Sequence, residues 1–377
     1  MRRAALLAGA TGLALTALNS PTEAHKPITS PFTYSADVLP IVRERCGQCH
    51  APGGVAPMSL LTYEEAVPWG ESMRLELTAG HMPPWSIERG AARFRNGETL
   101  SARELNVLLT WATGGTPAGE APAQPGSASS ASTWPMGVPD AVIDLPAFTL
   151  AADEQGHDVE VPIPGVNTDR WLRGIDILPG TPAIVRGASV EVDTPASPGR
   201  MADERLLALW VPADEPTPIA RGALRIPAGA PLRVRMRYRR TWSYEGKAMT
   251  DRSRLGLYFA PAAAPPVRAV VLSPTRPVTL PQTVRALAVY PGVTLSNTRV
   301  VITATRPGGK RDELIAFHPR GGWARRYWFR EPLVLPQGTV VSIRLTPDSL
   351  DLFPPVTRSP AASAPPPSAA ITLDVVP

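Results

Sequence analysis

The stretch CGQCH, residues 46–50, contains the only two cysteines of the 377-residue sequence, three positions apart and followed at once by a histidine. Four roles suit this pattern: a disulfide, half of a zinc site, a dithiol redox couple, or an attachment site for haem. Each role needs a different local structure. The residues around the motif therefore decide both its chemistry and what fills the centre of its segment.

Two of these roles fit the neighbouring residues poorly. A zinc site needs further Cys or His ligands at coordinating spacing, and only His81 lies nearby in the sequence. A thioredoxin-type couple follows a strand, whereas Val38, Leu39 and Val42 fall on one face of a predicted helix that runs into Cys46.

A haem site needs two thiols and an imidazole on about one helical turn, and the motif supplies them. Each thiol adds to a haem vinyl group, and the histidine reaches the iron from one side. The sequence therefore predicts one covalent haem c held by Cys46, Cys49 and His50.

A six-coordinate haem needs a second axial ligand, for which the sequence offers Met58, Met73 and Met82. Met58 is close to the proximal histidine, and Met73 lies in a predicted helix where core packing explains it. Met82 precedes two prolines that stiffen its loop. We therefore expect Met82 as the ligand, with His81 as the alternative.

Three helices are predicted around the motif. The first begins after Ser35, and the second begins at the capping box of residues 62–65 and continues to about Thr78 with a kink at Pro68. The third begins at the capping box of residues 101–104 and ends at a Gly-Gly pair. Trp69 and Trp85 are candidates for walls of the haem site or for ordinary core packing.

Composition divides the chain into segments. A positive head followed by a short apolar run predicts a signal peptide and export to the periplasm or beyond. A small-residue run predicts an exposed linker. The expected segments are the signal peptide at 1–24, the haem domain at 31–118, the linker at 119–133, and β-sandwiches at 134–262 and 267–377, the last with a Pro/Ala/Ser-rich segment at 359–370.

The region after Trp134 shows short alternating strands separated by Pro, Gly, Asn and Asp, in two series that break near residue 263. Such spacing is typical of β-sandwiches. The net charge of +5 is modest, and no basic run is interleaved with aromatic residues, so nucleic-acid binding is not expected. No further segment has the length of a membrane-spanning helix.

Residues 33–118 resemble the c-type cytochrome domain that is fused to copper monooxygenase-like modules in exported bacterial proteins. The resemblance implies a small all-α domain with His50 and Met82 as haem ligands. It is carried by CGQCHAPGGVAPMSLLTYEEAVPW, HMPPW, FRNGETLSARELNVLLTW and GGTPAG.

The region 134–350 resembles the copper type II, ascorbate-dependent monooxygenases, the class of peptidylglycine and dopamine hydroxylating enzymes. The resemblance implies paired jelly-roll sandwiches, so the expected fold class is multidomain: an all-α cytochrome c domain followed by all-β jelly rolls. The matching stretches are WPMGVPD, DRWLRGIDILPGTPAIV, GALRIPAGAPLRVRMRY, TDRSRLGLYFA and WARRYWFREPLVLPQGT.

The copper ligands of that family are missing from the matching positions. Arg186 and Gly187 stand where a His-His pair is expected, Arg237 stands where a histidine is expected, and residues 291–294 replace a Pro-His-Met-His segment. Mononuclear copper in such sites is held by imidazoles and a thioether. We therefore expect neither bound copper nor a working hydroxylase. Arg186 and Arg237 could instead pair with an acid or an anionic ligand in the former metal cleft.

Residues 232–239 alternate apolar and arginine side chains, so four guanidiniums share one face of a predicted strand. This face is a solvated strand surface that discourages edge pairing or, alternatively, a docking or anion-binding surface.

Three functions remain open at this stage. The first is an exported c-type cytochrome that transfers single electrons to redox partner proteins, with the β module used for docking or ligand binding. The second is a haem-linked copper monooxygenase with a rebuilt metal site. The third is a carbohydrate- or peptide-binding protein whose haem reports or wires the ligand.

Overall fold

A computed structural model gives the structure of the chain. The expected signal peptide, residues 121–133 of the expected linker, Trp85 and segment 359–370 lie outside the described residues. The structure describes residues 29–84, 87–88, 90, 94–95, 97, 99–120, 134–193, 206–214, 219, 221–262, 264–291, 298–318, 323, 325–347 and 371–377.

Short helices occupy the first part of the described chain, which we call the helical region (residues 34–113). A π-helical turn at Tyr34–Val38 runs directly into the first α-helix. The α-helices are α1 (Leu39–Arg45), α2 (Tyr63–Ala66), α3 (Gly70–Thr78) and α4 (Ala102–Thr113).

Two of the three helix starts expected from the sequence are confirmed, whereas the first helical turn begins at Tyr34 after a Thr33 cap and not after Ser35. The Thr62 hydroxyl accepts a hydrogen bond from the Glu65 amide at the start of α2. A 3-10 turn at Val67–Trp69 contains Pro68 and separates α2 from α3, because proline cannot donate to the helical ladder. Both halves of the capping box form at Ser101, where α4 begins.

Strands β1 to β10 form the first sandwich. Its core takes fully buried side chains from both large sheets, such as Leu172 and Leu255 from one and Val234 from the other. The first large sheet is β1 (Ala141–Asp144), β10 (Arg254–Phe259), β4 (Arg170–Leu178) and β7 (Leu224–Ile226); the second is β3 (Gly156–Ile163), β8 (Leu232–Arg239), β5 (Val185–Val192) and β6 (Leu206–Trp210); β2 (Phe148–Leu150) pairs with β9 (Met249–Asp251).

Strands β11 to β18 form the second sandwich, again from two antiparallel four-stranded sheets. Ile302 from one sheet and Leu373 from the other are fully buried in its core. The sheets are β11 (Arg268–Leu272), β18 (Ile371–Val376), β13 (Val284–Pro291) and β16 (Tyr327–Leu335), and β12 (Val278–Thr279), β17 (Val340–Pro347), β14 (Thr298–Thr305) and β15 (Arg311–Phe317).

The expected fold class is wrong, because the helices do not form a separate all-α cytochrome domain. Far more of the described residues lie in strands than in helices, and the chain after α3 leaves the helices and packs on the second sandwich. Ile87 and Phe94 form β-bridges to Phe317 and Phe329, and both side chains are buried in the second sandwich core. Only the sandwich part of the expectation is compatible with this structure.

Polar contacts join the two sandwiches. Arg325 is buried and forms an ion pair with the partly buried Asp214. Arg326 donates to the carbonyl of Leu207 over 3.0 Å and lies 2.7 Å from the carboxylate of Asp374. None of the described helices has the length and apolar character needed to cross a bilayer.

Candidate functional site

The CGQCH motif forms a tight turn at the end of α1. The Cys46 amide donates to the Val42 carbonyl over 2.9 Å, which extends the helical pattern into the motif. The amides of Cys49 and His50 both donate to the Cys46 carbonyl, over 3.0 and 2.8 Å. Both cysteines and the histidine are therefore held on about one turn of chain, as expected from the sequence.

Both cysteines are free thiols in an apolar environment. Cys49 is buried, and Cys46 packs against the helical core. Burial raises the pKa of Cys46 to about 12 and that of Cys49 to about 11, so both thiols are protonated at neutral pH. Such positions disfavour thiolate zinc ligands and reactive redox thiols, and they suit uncharged thioethers.

His50 has the environment of a metal-binding imidazole. Its Nδ1 lies 3.3 Å from the Met58 carbonyl oxygen, which can only accept, so this contact places the proton on Nδ1. Burial lowers the pKa of His50, and the hydrogen bond to Met58 opposes part of this effect. Because the pKa is lowered, the ring is neutral at pH 7. The Nε2 lone pair is then available to a metal, as in histidines oriented by a backbone carbonyl.

The loop after His50 folds back on the motif and fixes it. The Ala56 amide donates to the Cys49 carbonyl over 3.1 Å, and the Leu60 amide donates to the His50 carbonyl over 3.0 Å. A Cβ on Gly54 would lie 2.4 Å from the Cys49 carbonyl oxygen, so this close approach requires glycine. The loop therefore holds the backbone of Cys49 and His50 in place.

The structure does not join Met82 to His50. Met82 follows α3 with 40% of its surface exposed, and it is absent from the side chains that pack on the helical core, where Met58 and Met73 do lie. His81 places its Nδ1 3.1 Å from the Glu76 carboxylate. Met82 as the second axial ligand, with His81 as the alternative, therefore stays a prediction.

The first sandwich contacts the motif segment, which the sequence did not predict. The Ser243 hydroxyl donates to the Pro57 carbonyl, and the Trp242 and Trp69 rings lie 5.9 Å apart. The Arg186 charge lies within electrostatic range of Cys49 and opposes the burial that raises the pKa of that thiol. In the sequence, the one sign of a role for Arg186 was its position: Arg186 and Arg237 stand where the resemblance to copper monooxygenases implies copper ligands.

The two histidines after the linker contact residues outside the motif. His157 stacks near Phe148 with ring centroids 5.4 Å apart, and His318 places its Nε2 2.9 Å from the Glu88 carboxylate. No group of three or more His, Cys, Asp or Glu side chains among the described residues is arranged to hold a metal ion.

The arginine face of β8 is largely paired with acids. Arg233 bonds Asp193 over 2.6 Å, and Arg235 bonds Glu160. Arg239 lies 3.3 Å from Asp158. These partly exposed pairs favour a solvated strand surface over an anion-binding surface at the three positions.

The residues of the motif fit a covalently attached haem. A buried and a partly buried thiol, which thioether formation would leave uncharged, stand beside a neutral imidazole whose Nδ1 is held by a carbonyl. Cys46 and Cys49 would hold the porphyrin, and His50 would bind the iron. Neither the family models nor the curated proteins contain a match to this chain.

Proposed function

We propose that this is an exported c-type haem protein that transfers single electrons, and that its β-sandwiches dock a redox partner or bind a ligand. The observation that carries the proposal is the set of two free thiols, one buried and one partly buried, and a neutral histidine on one turn of chain. When bound, the haem supplies a one-electron redox couple.

The motif residues would hold and orient the haem. Cys46 and Cys49 fix the group covalently, and the Met58 carbonyl orients the His50 ring so that Nε2 presents its lone pair. Met82, or alternatively His81, completes the coordination. A thioether ligand raises the reduction potential relative to an imidazole, so this choice selects the partners.

The same residues argue against a dithiol oxidoreductase. Thiol–disulfide exchange needs a thiolate, and thiols of pKa about 12 and 11 are almost wholly protonated at pH 7. The motif therefore suits attachment better than exchange.

The test is a pyridine-haemochrome spectrum with metal analysis on protein purified from a host that matures c-type haem. We expect one covalent haem iron per chain in the wild type and none after Cys46→Ala with Cys49→Ala. Met73→Leu, which changes a methionine in the helical core, serves as the matched control and keeps the haem. Colourless wild-type protein would reject the proposal, and stoichiometric copper would favour the monooxygenase instead.

A further inference from the structure

Arg186 is a partly buried cation that has no matching anion among the described residues. Its Nη1 donates to the Ala183 carbonyl over 3.0 Å, at the start of β5. Its Nη2 is shielded from solvent and makes no hydrogen bond to the part of the chain that the structure describes. Withdrawing a charged donor from water without a partner is costly, so this position calls for an anion.

Other arginines nearby show what Arg186 lacks. Arg325 pairs with the partly buried carboxylate of Asp214, and Arg233 pairs with Asp193. No carboxylate of the described chain lies within ion-pair distance of Arg186. The partner of Arg186 is therefore expected from outside the described residues.

The location of Arg186 points to the CGQCH motif. Strand β5 pairs with β8, and the Arg239 amide donates to the Ile184 carbonyl over 2.9 Å at the end where β8 finishes. The chain then reaches Trp242 and Ser243, which contact the helical region beside the motif. Arg186 is thus at the end of the sandwich that faces the cysteines.

We infer that Arg186 binds a propionate carboxylate of the haem attached at Cys46 and Cys49, an inference that rests on the proposed function. Haem carries two propionates, and a guanidinium fork matches a carboxylate in charge and geometry. The sandwich thereby contributes a residue to the haem site of the helical region.

The experiment uses the full-length haem-loaded protein and compares wild type, Arg186→Leu, Arg186→Lys and Arg225→Leu. Arg225 is the control, since it lies in the other sheet of the first sandwich and pairs with Asp169. Haem stoichiometry is measured first. Resonance Raman then follows the propionate bending mode, which reports hydrogen bonding to the carboxylate, and potentiometry gives the midpoint potential.

In Arg186→Leu we expect a shifted propionate mode. We also expect the equilibrium constant for reduction to fall on the order of tenfold, which lowers the midpoint potential by about 59 mV for one electron. Loss of a cation beside the haem favours the oxidised iron. Arg186→Lys keeps the charge, so its potential stays near that of wild type while the propionate mode changes. Arg225→Leu changes neither readout.

Haem-loaded Arg186→Leu with wild-type Raman and potential overturns the inference while the proposed function stands. If Arg186→Leu does not fold, the Raman mode of Arg186→Lys decides, and an unchanged mode overturns the inference. Unchanged spectra with a phosphate-dependent rise in wild-type melting temperature would assign Arg186 to a free anion and also overturn it. Wild type without covalent haem overturns the proposed function, and this inference with it.

Discussion

The helical core around Trp111 contains 11 buried apolar side chains among the described residues, whereas the core of the first sandwich contains 20. The sandwich also has continuous ladders such as β5 with β8. The helical region has helices of 4 to 12 residues joined by loops, and parts of it are fixed by contacts to both sandwiches. The sandwiches are therefore stabilised by their own buried apolar side chains. The helical region depends on contacts to its neighbours and, in our proposal, on the haem.

The largest expected effect is in the helical core. Trp111 is fully buried, packs near Tyr34 and donates its indole N–H to the Pro117 carbonyl over 3.1 Å. We expect Trp111→Ala to cost about 3–5 kcal/mol and to expose the helical region. Hydrogen exchange should then rise at residues 34–113 and stay low in β5 and β8. Equal loss of protection in the sandwiches would contradict the comparison.

The next effect is a pH dependence of stability caused by Asp176 in the first sandwich. Burial raises its pKa to about 7, and one carboxylate oxygen makes no hydrogen bond. The folded protein binds this proton more tightly than the unfolded chain does. The contribution of Asp176 is therefore present below about pH 4 and is lost as the pH rises to about 7, by up to about 1.4 kcal/mol per pH unit.

Asp176→Asn should flatten this pH dependence. Urea unfolding between pH 4 and pH 8 measures it, with Asp169→Asn, an exposed acid of the same sandwich, as the control. An unchanged slope in Asp176→Asn would show that the carboxyl is not protonated at neutral pH.

A smaller effect is expected at the start of α4. The Ser101 hydroxyl accepts from the Glu104 amide over 3.1 Å, so Ser101→Ala should cost about 1 kcal/mol. Thermal unfolding followed by the absorbance of the proposed haem would detect it, and Ser101→Asn, which can also cap, should restore stability. An effect confined to the sandwich signals would count against a separately responding helical region.

The smallest effect is expected on the arginine face. Arg235 and Glu160 form a partly exposed pair, and such pairs contribute about 0–1 kcal/mol. Arg235→Ala should thus leave the free energy of unfolding nearly unchanged. A loss of several kcal/mol would mean that this face is covered in the protein.

Local signals were readable from the sequence. Capping pairs at Thr62 and Ser101 gave the helix starts, and the alternation of residues 232–239 gave β8, because both depend on neighbours within a few positions. The strand series also gave the two sandwiches.

Contacts between distant segments were not readable. Ile87 and Phe94 lie in chain without helical or strand periodicity, yet they belong to the second sandwich, which made the all-α domain wrong. The Met58 carbonyl partner of His50 has no side-chain signature, and Arg186 is more than 100 positions from Cys49. Such pairings are set by packing and leave no local pattern.

Mass spectrometry of the proteolytic peptide that contains residues 46–50 tests the central claim most directly, on protein from a host that matures c-type haem. The account predicts a peptide heavier by one haem, with neither Cys46 nor Cys49 open to alkylation. A peptide of unmodified mass in which both thiols alkylate on unfolding would contradict it.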